Sequence, residues 1–315
     1  MIQVDLITGF LGSGKTTFLK KYAAYWKAQG VKIAILENDF GAVNVDMMLL
    51  QELEDENCML EMVSGGCCAR DHRRRFHTKL IALAMSQVER VIIEPSGIFD
   101  VDEFFDALHD EPLDRFYEIG NVIAIVDATL EDNLSRKSEY VLASQLADAG
   151  SIILSKMEGV SDVQVHSLYE HIQRAMKQFR CTRKLKEEEL IYGTWETWTE
   201  EDMAKVTSSG YRLEDFVKIS TNLQHEYQSV YLMNHPICKK RALEIVKELY
   251  AEPAQYGSVF RVKGFLRDED GWLELNATVG DIQITEIPRG QEVLIVIGDG
   301  LQESAIQELY HRENV

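Results

Sequence analysis

Gly9-Phe10-Leu11-Gly12-Ser13-Gly14-Lys15-Thr16-Thr17 follows an apolar run at residues 2–7 and leads into a stretch, 16–29, with apolar residues at helical spacing. The segment fits G-x-x-x-x-G-K-[ST], with Gly9 and Gly14 as its fixed glycines. Strand, glycine-rich turn and helix in that order form a phosphate cradle: backbone N–H groups turn inward, and the helix points its positive end at the same anion. Gly12, Ser13, Gly14, Lys15, Thr16 and Thr17 are expected to hold nucleotide phosphates. Lys15 would reach the β- and γ-phosphates and act in catalysis, and Thr16 would supply one oxygen to an octahedral Mg²⁺.

The phosphate loop opens a longer alternation. Residues 3–8, 31–37, 91–94, 121–127 and 151–155 read as strands, and amphipathic stretches 16–29, 70–88, 130–149 and 163–179 as helices. Strand and helix in turn imply right-handed crossovers and a parallel sheet covered on both faces, with ligands at the carboxyl ends of the strands. The expected fold class is α/β, a P-loop NTPase parallel sheet flanked by helices. After about residue 180 the pattern changes. KLKEEEL reads as a solvated charge run, and 180–222 as the edge of the first domain plus a connector. VFRVKGFL, GWLELNATV, DIQITEI and EVLIVIG then read as strands, with helices at 239–250 and 303–311. We expect a P-loop domain over 1–222 and a smaller α+β domain over 223–315.

With 315 residues, two domains are the natural expectation. A net charge of −19, from 33 basic and 52 acidic residues, repels nucleic acid and anionic membranes over most of the surface. No apolar run approaches the roughly 20 residues of a membrane span. No cationic leader precedes the first strand, so a cytoplasmic protein is expected. The five cysteines, Cys58, Cys67, Cys68, Cys181 and Cys238, are odd in number and irregular in spacing, and are expected reduced.

Three further strand ends carry chemistry. Glu37 to Asp46, ENDFGAVNVD, leaves the second strand with acids on the phosphate side, where a nucleotide-sensitive loop would lie. VIIEPSG sets Glu94 at the end of a buried strand, where a P-loop protein needs a carboxylate for a Mg²⁺-bound or attacking water. The competing role for Glu94 is a helix cap. Gly97 would offer a backbone N–H to the γ-phosphate. LSKMEG brings Ser155, Lys156 and Glu158 to the base. Guanine presents two parallel donors that a carboxylate accepts, and Lys156 would lay its stem along the ring. The usual form is Asn/Ser/Thr-Lys-x-Asp. Glu158 is one methylene longer, about 1.5 Å, so the loop must retreat for it to read guanine.

GFLGSGKTT, ENDFGAVNVD, EMVSGGCCAR, EPSG, IVDA, SKME and FRVKGFL, in this order over nearly the whole chain, resemble the CobW-like P-loop GTPases of cobalamin synthesis and metal homeostasis. EPSG and Arg261-Val262-Lys263-Gly264 narrow the match beyond P-loop proteins in general. The resemblance implies a GTPase domain followed by a CobW carboxy-terminal domain. It also implies binding of GTP and GDP, slow hydrolysis, and delivery of a transition metal such as Zn²⁺ or Co²⁺ to a client protein. The family's C-x-C-C metal motif is reduced here to Cys67 and Cys68, and the eight histidines form no rich tract.

Thiolates suit Zn²⁺, and a tetrahedral site needs further donors, for which Glu37, Asp39 and His72 are the candidates beside Cys67 and Cys68. The alternative is a buried turn with inert thiols. Two rival functions stay open. Arg70 to His77, RDHRRRFH, would serve a small-molecule kinase as a lid, or else lie on a solvated helix face. A nucleotide-gated switch without metal cargo would order the same loops to dock a client.

Overall fold

The computed structural model describes residues 1–39, 45–64, 69–132, 134–192, 194–218, 227–233, 236–268 and 271–312. It divides into two compact units, Met1–Ala42 with Leu49–Thr221, and Val43–Met48 with Asn222–Val315.

The first unit is built on a seven-stranded sheet, β1 (Ile2–Thr8), β2 (Ile33–Asp39), β3 (Cys58–Ser64), β4 (Arg90–Pro95), β5 (Tyr117–Asp127), β6 (Ser151–Ser155) and β7 (Leu190–Ile191), in the order β3-β2-β4-β1-β5-β6-β7. Every pairing is parallel. Both sheet faces are covered, so the central strands are apolar on successive residues rather than alternately. Leu6 and Ile7 are both fully buried, in two different cores. One core holds Phe18, Leu19 and Tyr22 of α1 (Lys15–Ala28) with Met203 and Val206 of α7 (Glu200–Thr207). The other packs α3 (Ala69–Ala84), α4 (Val101–His109), α5 (Arg136–Ala147) and α6 (Asp162–Gln178) through Leu80, Phe104, Leu142 and Ile172. A short helix, α2 (Val45–Leu50), follows β2.

A buried polar knot ties sheet to helices at mid-strand. Asp5, fully buried, accepts from Tyr22 Oη at 2.8 Å and from the Asn121 N–H at 2.8 Å, and pairs with Arg90. Asn121 in turn donates to the Thr207 carbonyl, fixing the end of α7.

The second unit is a five-stranded antiparallel sheet, β8 (Tyr227–Met233), β9 (Ser258–Asp268), β10 (Gly271–Thr278), β11 (Asp281–Ile287) and β12 (Val293–Asp299), ordered β11-β10-β9-β12-β8. Its core joins Val262, Leu275 and Val296 to Ile245 and Leu249 of α8 (Lys239–Ala251), Tyr256 of α9 (Pro253–Tyr256) and Leu309 of α10 (Glu303–His311).

Several boundaries differ from the sequence expectation. The helix expected over 130–149 starts only at Arg136, because Ser135 caps it by accepting from the Ser138 N–H. The helix expected to Val88 ends at Ala84, and Gln87 adopts φ 62°. The strands β3, β7 and β8 and the helix α4 were not anticipated; within 180–222, β7 forms the sheet's edge. Among the described residues no helix is long and apolar enough to cross a membrane.

Candidate functional site

The phosphate loop runs from the end of β1 to the first turn of α1. Gly14 precedes that helix at φ +89°, a conformation that strains any residue with a Cβ. Gly12 and Ser13 are buried, Lys15 is 6% exposed, Thr16 is half-buried and Thr17 exposed. Lys15 Nζ donates to the Gly9 carbonyl at 3.1 Å, so its ammonium lies over the loop. Ser13 Oγ has no partner among the described residues.

Glu94 comes to this loop from β4. Thr16 Oγ1 donates to Glu94 Oε1 at 2.8 Å. Glu37 on β2 stands beside Glu94 in parallel register, each 3% exposed. Residues in register on neighbouring strands share a face, with strands about 4.8 Å apart, so two buried carboxylates lie side by side on β4 and β2, the nearer of them bonded to the hydroxyl at the head of α1. These are hard oxygen donors, the set that Mg²⁺ takes beside waters and phosphate oxygens. The residues present therefore fit the ion that the phosphate loop implies.

Gly97, past the end of β4, lies against the loop: a Cβ placed on it would meet Leu11 N at 2.6 Å. Its carbonyl accepts from Gln145 Nε2 at 3.1 Å, and Gln145 is buried on α5. Asp100 then caps α4, accepting from the Asp102 N–H and from Tyr140 Oη at 2.8 Å. Burial holds its carboxyl above the ordinary aspartate range despite these bonds.

The expected base-reading residues lie at the end of β6 and just after it. Ser155 is buried and donates to the Val126 carbonyl at 3.2 Å. Lys156 takes the left-handed region, φ 52°, and its Nζ lies 2.8 Å from Asp127 Oδ2. The other oxygen of Asp127 accepts from the N–H and hydroxyl of Thr129, so the carboxylate is held from both sides. Glu158 is exposed, with no hydrogen bond or ion pair among the described residues. Sequence reasoning missed Trp195. Its ring stands 3.5 Å from where a Cβ of Gly14 would be and packs on Phe18, centroids 5.6 Å apart, while Lys21 donates to its carbonyl. The paired tryptophans of WETW were a visible signal, but their place in a charged stretch assigned them to the connector.

The expected metal donors are only partly placed. Glu37 lies two residues before the end of β2, and His72 is buried in α3, 3% exposed. Cys67, Cys68 and the side chain of Asp39 lie outside the described residues. Among the described residues no group of three or more His, Cys, Asp or Glu is gathered to hold a metal. Of the arginines after them, Arg73, Arg74 and Arg75 are exposed on α3. Arg73 pairs with Asp110 at 3.0 Å and Arg75 donates to the Ser64 carbonyl at 2.9 Å, an arrangement unlike a lid over a phosphate.

Comparison with known proteins places this geometry in a family. The chain is 26% identical over 278 residues to the zinc chaperone YjiA of Escherichia coli, covering 84% of this chain and 81% of that one. It is 31% identical over 159 residues to the zinc chaperone YeiR of the same organism, covering 50% of this chain and 47% of that one. Among solved structures, the Zn(II)-bound YjiA GTPase from E. coli aligns over 99% of both chains at 21% identity and a TM-score of 0.39. Residues 3–184 match the model of the CobW/HypB/UreG nucleotide-binding domain, and the chain belongs to that family.

Proposed function

We propose that this protein binds GTP with Mg²⁺, hydrolyses it slowly without a partner, and couples its nucleotide state to holding a transition metal, Zn²⁺ or Co²⁺, for delivery to a client protein in the cytoplasm. The observation that carries the reading is the contact of Thr16 with Glu94, with Glu37 in register alongside. Thr16 of the phosphate loop touches Glu94, and Glu37 stands beside Glu94 on β2, so a γ-phosphate and its Mg²⁺ would act close to the strand that leads into the expected metal donors. Membership of the CobW/HypB/UreG family and the zinc-chaperone relatives support the cargo.

In this reading Gly12 to Thr17 hold the phosphates, and Gly97 donates its N–H to the γ-phosphate. Glu94 positions the attacking water, and Ser155, Lys156 and Glu158 receive guanine. Mg²⁺ would supply charge neutralisation of the transferring phosphoryl group from Thr16 and the neighbouring carboxylates. Glu37 or Asp39 is the residue through which nucleotide and cargo communicate. If it serves both, GTP changes metal affinity and metal changes GTP affinity by the same factor. A zinc titration against a chromophoric chelator, with GDP or a non-hydrolysable GTP analogue bound, tests this on the wild type and on Cys67→Ser/Cys68→Ser. Zinc affinity independent of both nucleotide and cysteines would leave a nucleotide switch without this cargo.

A further inference from the structure

β3 is one of the two outermost strands of the parallel sheet, opposite β7, and among the described residues its outer edge is unpaired over a short, defined window. Ile33 donates its N–H to the Asn57 carbonyl at 2.9 Å, which sets the alternation of the ladder. Asn57, Met59, Glu61 and Val63 turn their backbone groups to β2, and Cys58, Leu60, Met62 and Ser64 turn theirs outward. Both ends of the outward row are closed. Cys58 exchanges bonds of 3.1 and 3.3 Å with Asp55, and the Ser64 carbonyl accepts from Arg75. The N–H and C=O of Leu60 and Met62 have no partner among the described residues. The side chains of Met59 and Met62, on opposite faces of the strand, are 36% and 38% exposed, and β3 precedes Cys67 and Cys68 in sequence.

We propose that a flexible segment of a partner protein adds to this edge as a short extended strand, bonding Leu60 and Met62, with apolar side chains over the methionines and a lysine or arginine towards the start of β3. Unpaired edge groups are a template for strand addition, and methionine adapts to varied apolar partners. Charge chooses the flank. The turn before β3 carries Glu52, Glu54, Asp55 and Glu56; Lys20 pairs with Glu52 and Lys27 with Asp55. Glu54 and Glu56 are exposed, without an ion pair among the described residues. Charge and sterics oppose self-pairing: each copy carries a net charge of −19, and the two-fold antiparallel register with Leu60 opposite Met62 sets Cys58 opposite Ser64 of the second copy, a place already filled by Asp55. A strand fixed in its own sheet cannot bend away there, whereas a flexible segment can. The partner is the metal's recipient only on the function proposed above; docking itself requires neither metal nor nucleotide.

The full chain, ¹⁵N-labelled and free of metal and nucleotide, is titrated with acetyl-Lys-Val-Ile-Val-Gly-amide. The Leu60 and Met62 amides should shift and exchange more slowly. Blocking the peptide's bonding amides by N-methylation should weaken binding on the order of tenfold, and Glu in place of its Lys by roughly threefold. Met62→Lys should weaken it similarly while keeping wild-type affinity for GDP. No shift at the two amides, or equal binding of the N-methylated peptide, overturns the proposal. So does sedimentation showing a dimer that Met62→Lys dissociates, which would give the edge to a second copy. Because the readout needs no zinc and no GTP, failure here is separate from failure of the zinc titration.

Discussion

Gly97→Ala tests how tightly the loop after β4 is coupled to the phosphate loop. A Cβ at this position would stand 2.6 Å from Leu11 N, 2.8 Å from Leu11 Cα and 2.9 Å from Leu11 Cδ2. Carbon contacts settle at about 3.5–4.0 Å, so roughly 1 Å must open between the two segments. The Cδ2 contact can be relieved by rotating the leucine, but the contacts to N and Cα are backbone. Gly97 is held from behind by Gln145, which is buried on α5, so the phosphate loop is the side that gives way. Overpacking of this kind costs about 1–3 kcal/mol, and a shift of that size is large against the few tenths of an ångström that separate good from poor N–H···O bonds. If the strain falls on the nucleotide complex, affinity drops roughly 5- to 150-fold, since about 1.4 kcal/mol is a factor of ten. GTP should lose more than GDP, because the γ-phosphate lies nearest the proposed Gly97 donor. Fluorescent GDP and GTP-analogue titrations measure both, and urea unfolding of the nucleotide-free protein checks whether the cost appears as lost stability. Wild-type affinity for both nucleotides with unchanged unfolding would refute the close approach as a determinant of the site.

Glu94→Gln should slow GTP hydrolysis while leaving nucleotide affinity close to wild type, measured by phosphate release under single-turnover conditions; normal turnover would make Glu94 a structural partner of Thr16 only. Glu158→Ala should erase a preference for GTP over ATP of roughly tenfold or more, given about 1.5–3 kcal/mol for each charge-assisted bond, as read by competition against bound GDP. Equal competition by ATP and GTP in the wild type would show that the exposed Glu158 does not reach guanine. Asp148→Asn concerns stability. Burial pushes the Asp148 carboxyl up to about 6, against the Glu214 N–H that donates to it. A carboxyl raised on folding holds its proton longer in the native state, so it lowers stability as pH rises from about 4 to about 6, and the penalty persists above that. The variant keeps an acceptor for Glu214 and should be more stable by up to about 3 kcal/mol above pH 6, converging on the wild type below pH 4, in urea titrations across that range.

The parts of this protein whose physics is local can be read from the chain alone. The phosphate loop was legible because strand, glycines, lysine and helix are contiguous, and Gly14 adopts the positive φ that its type permits. The parallel sheet was legible because its inner strands are buried on both faces and so read as unbroken apolar runs, as at Ile92 and Ile93. β3 was not, since an edge strand with exposed Met59 and Met62 has neither the run nor the clean alternation. Which distant groups meet depends on how the strands assemble. Thr16 and Glu94 are 78 positions apart in the chain, and nothing along that stretch signals a 2.8 Å hydrogen bond. That contact exists because β4 inserts between β1 and β2, an ordering set by how crossovers pack rather than by any one segment. The same holds for Trp195 against Gly14 and for Asp127 on Lys156. A side chain's role at a site depends on the strand beside it, and that neighbour is chosen by the whole fold.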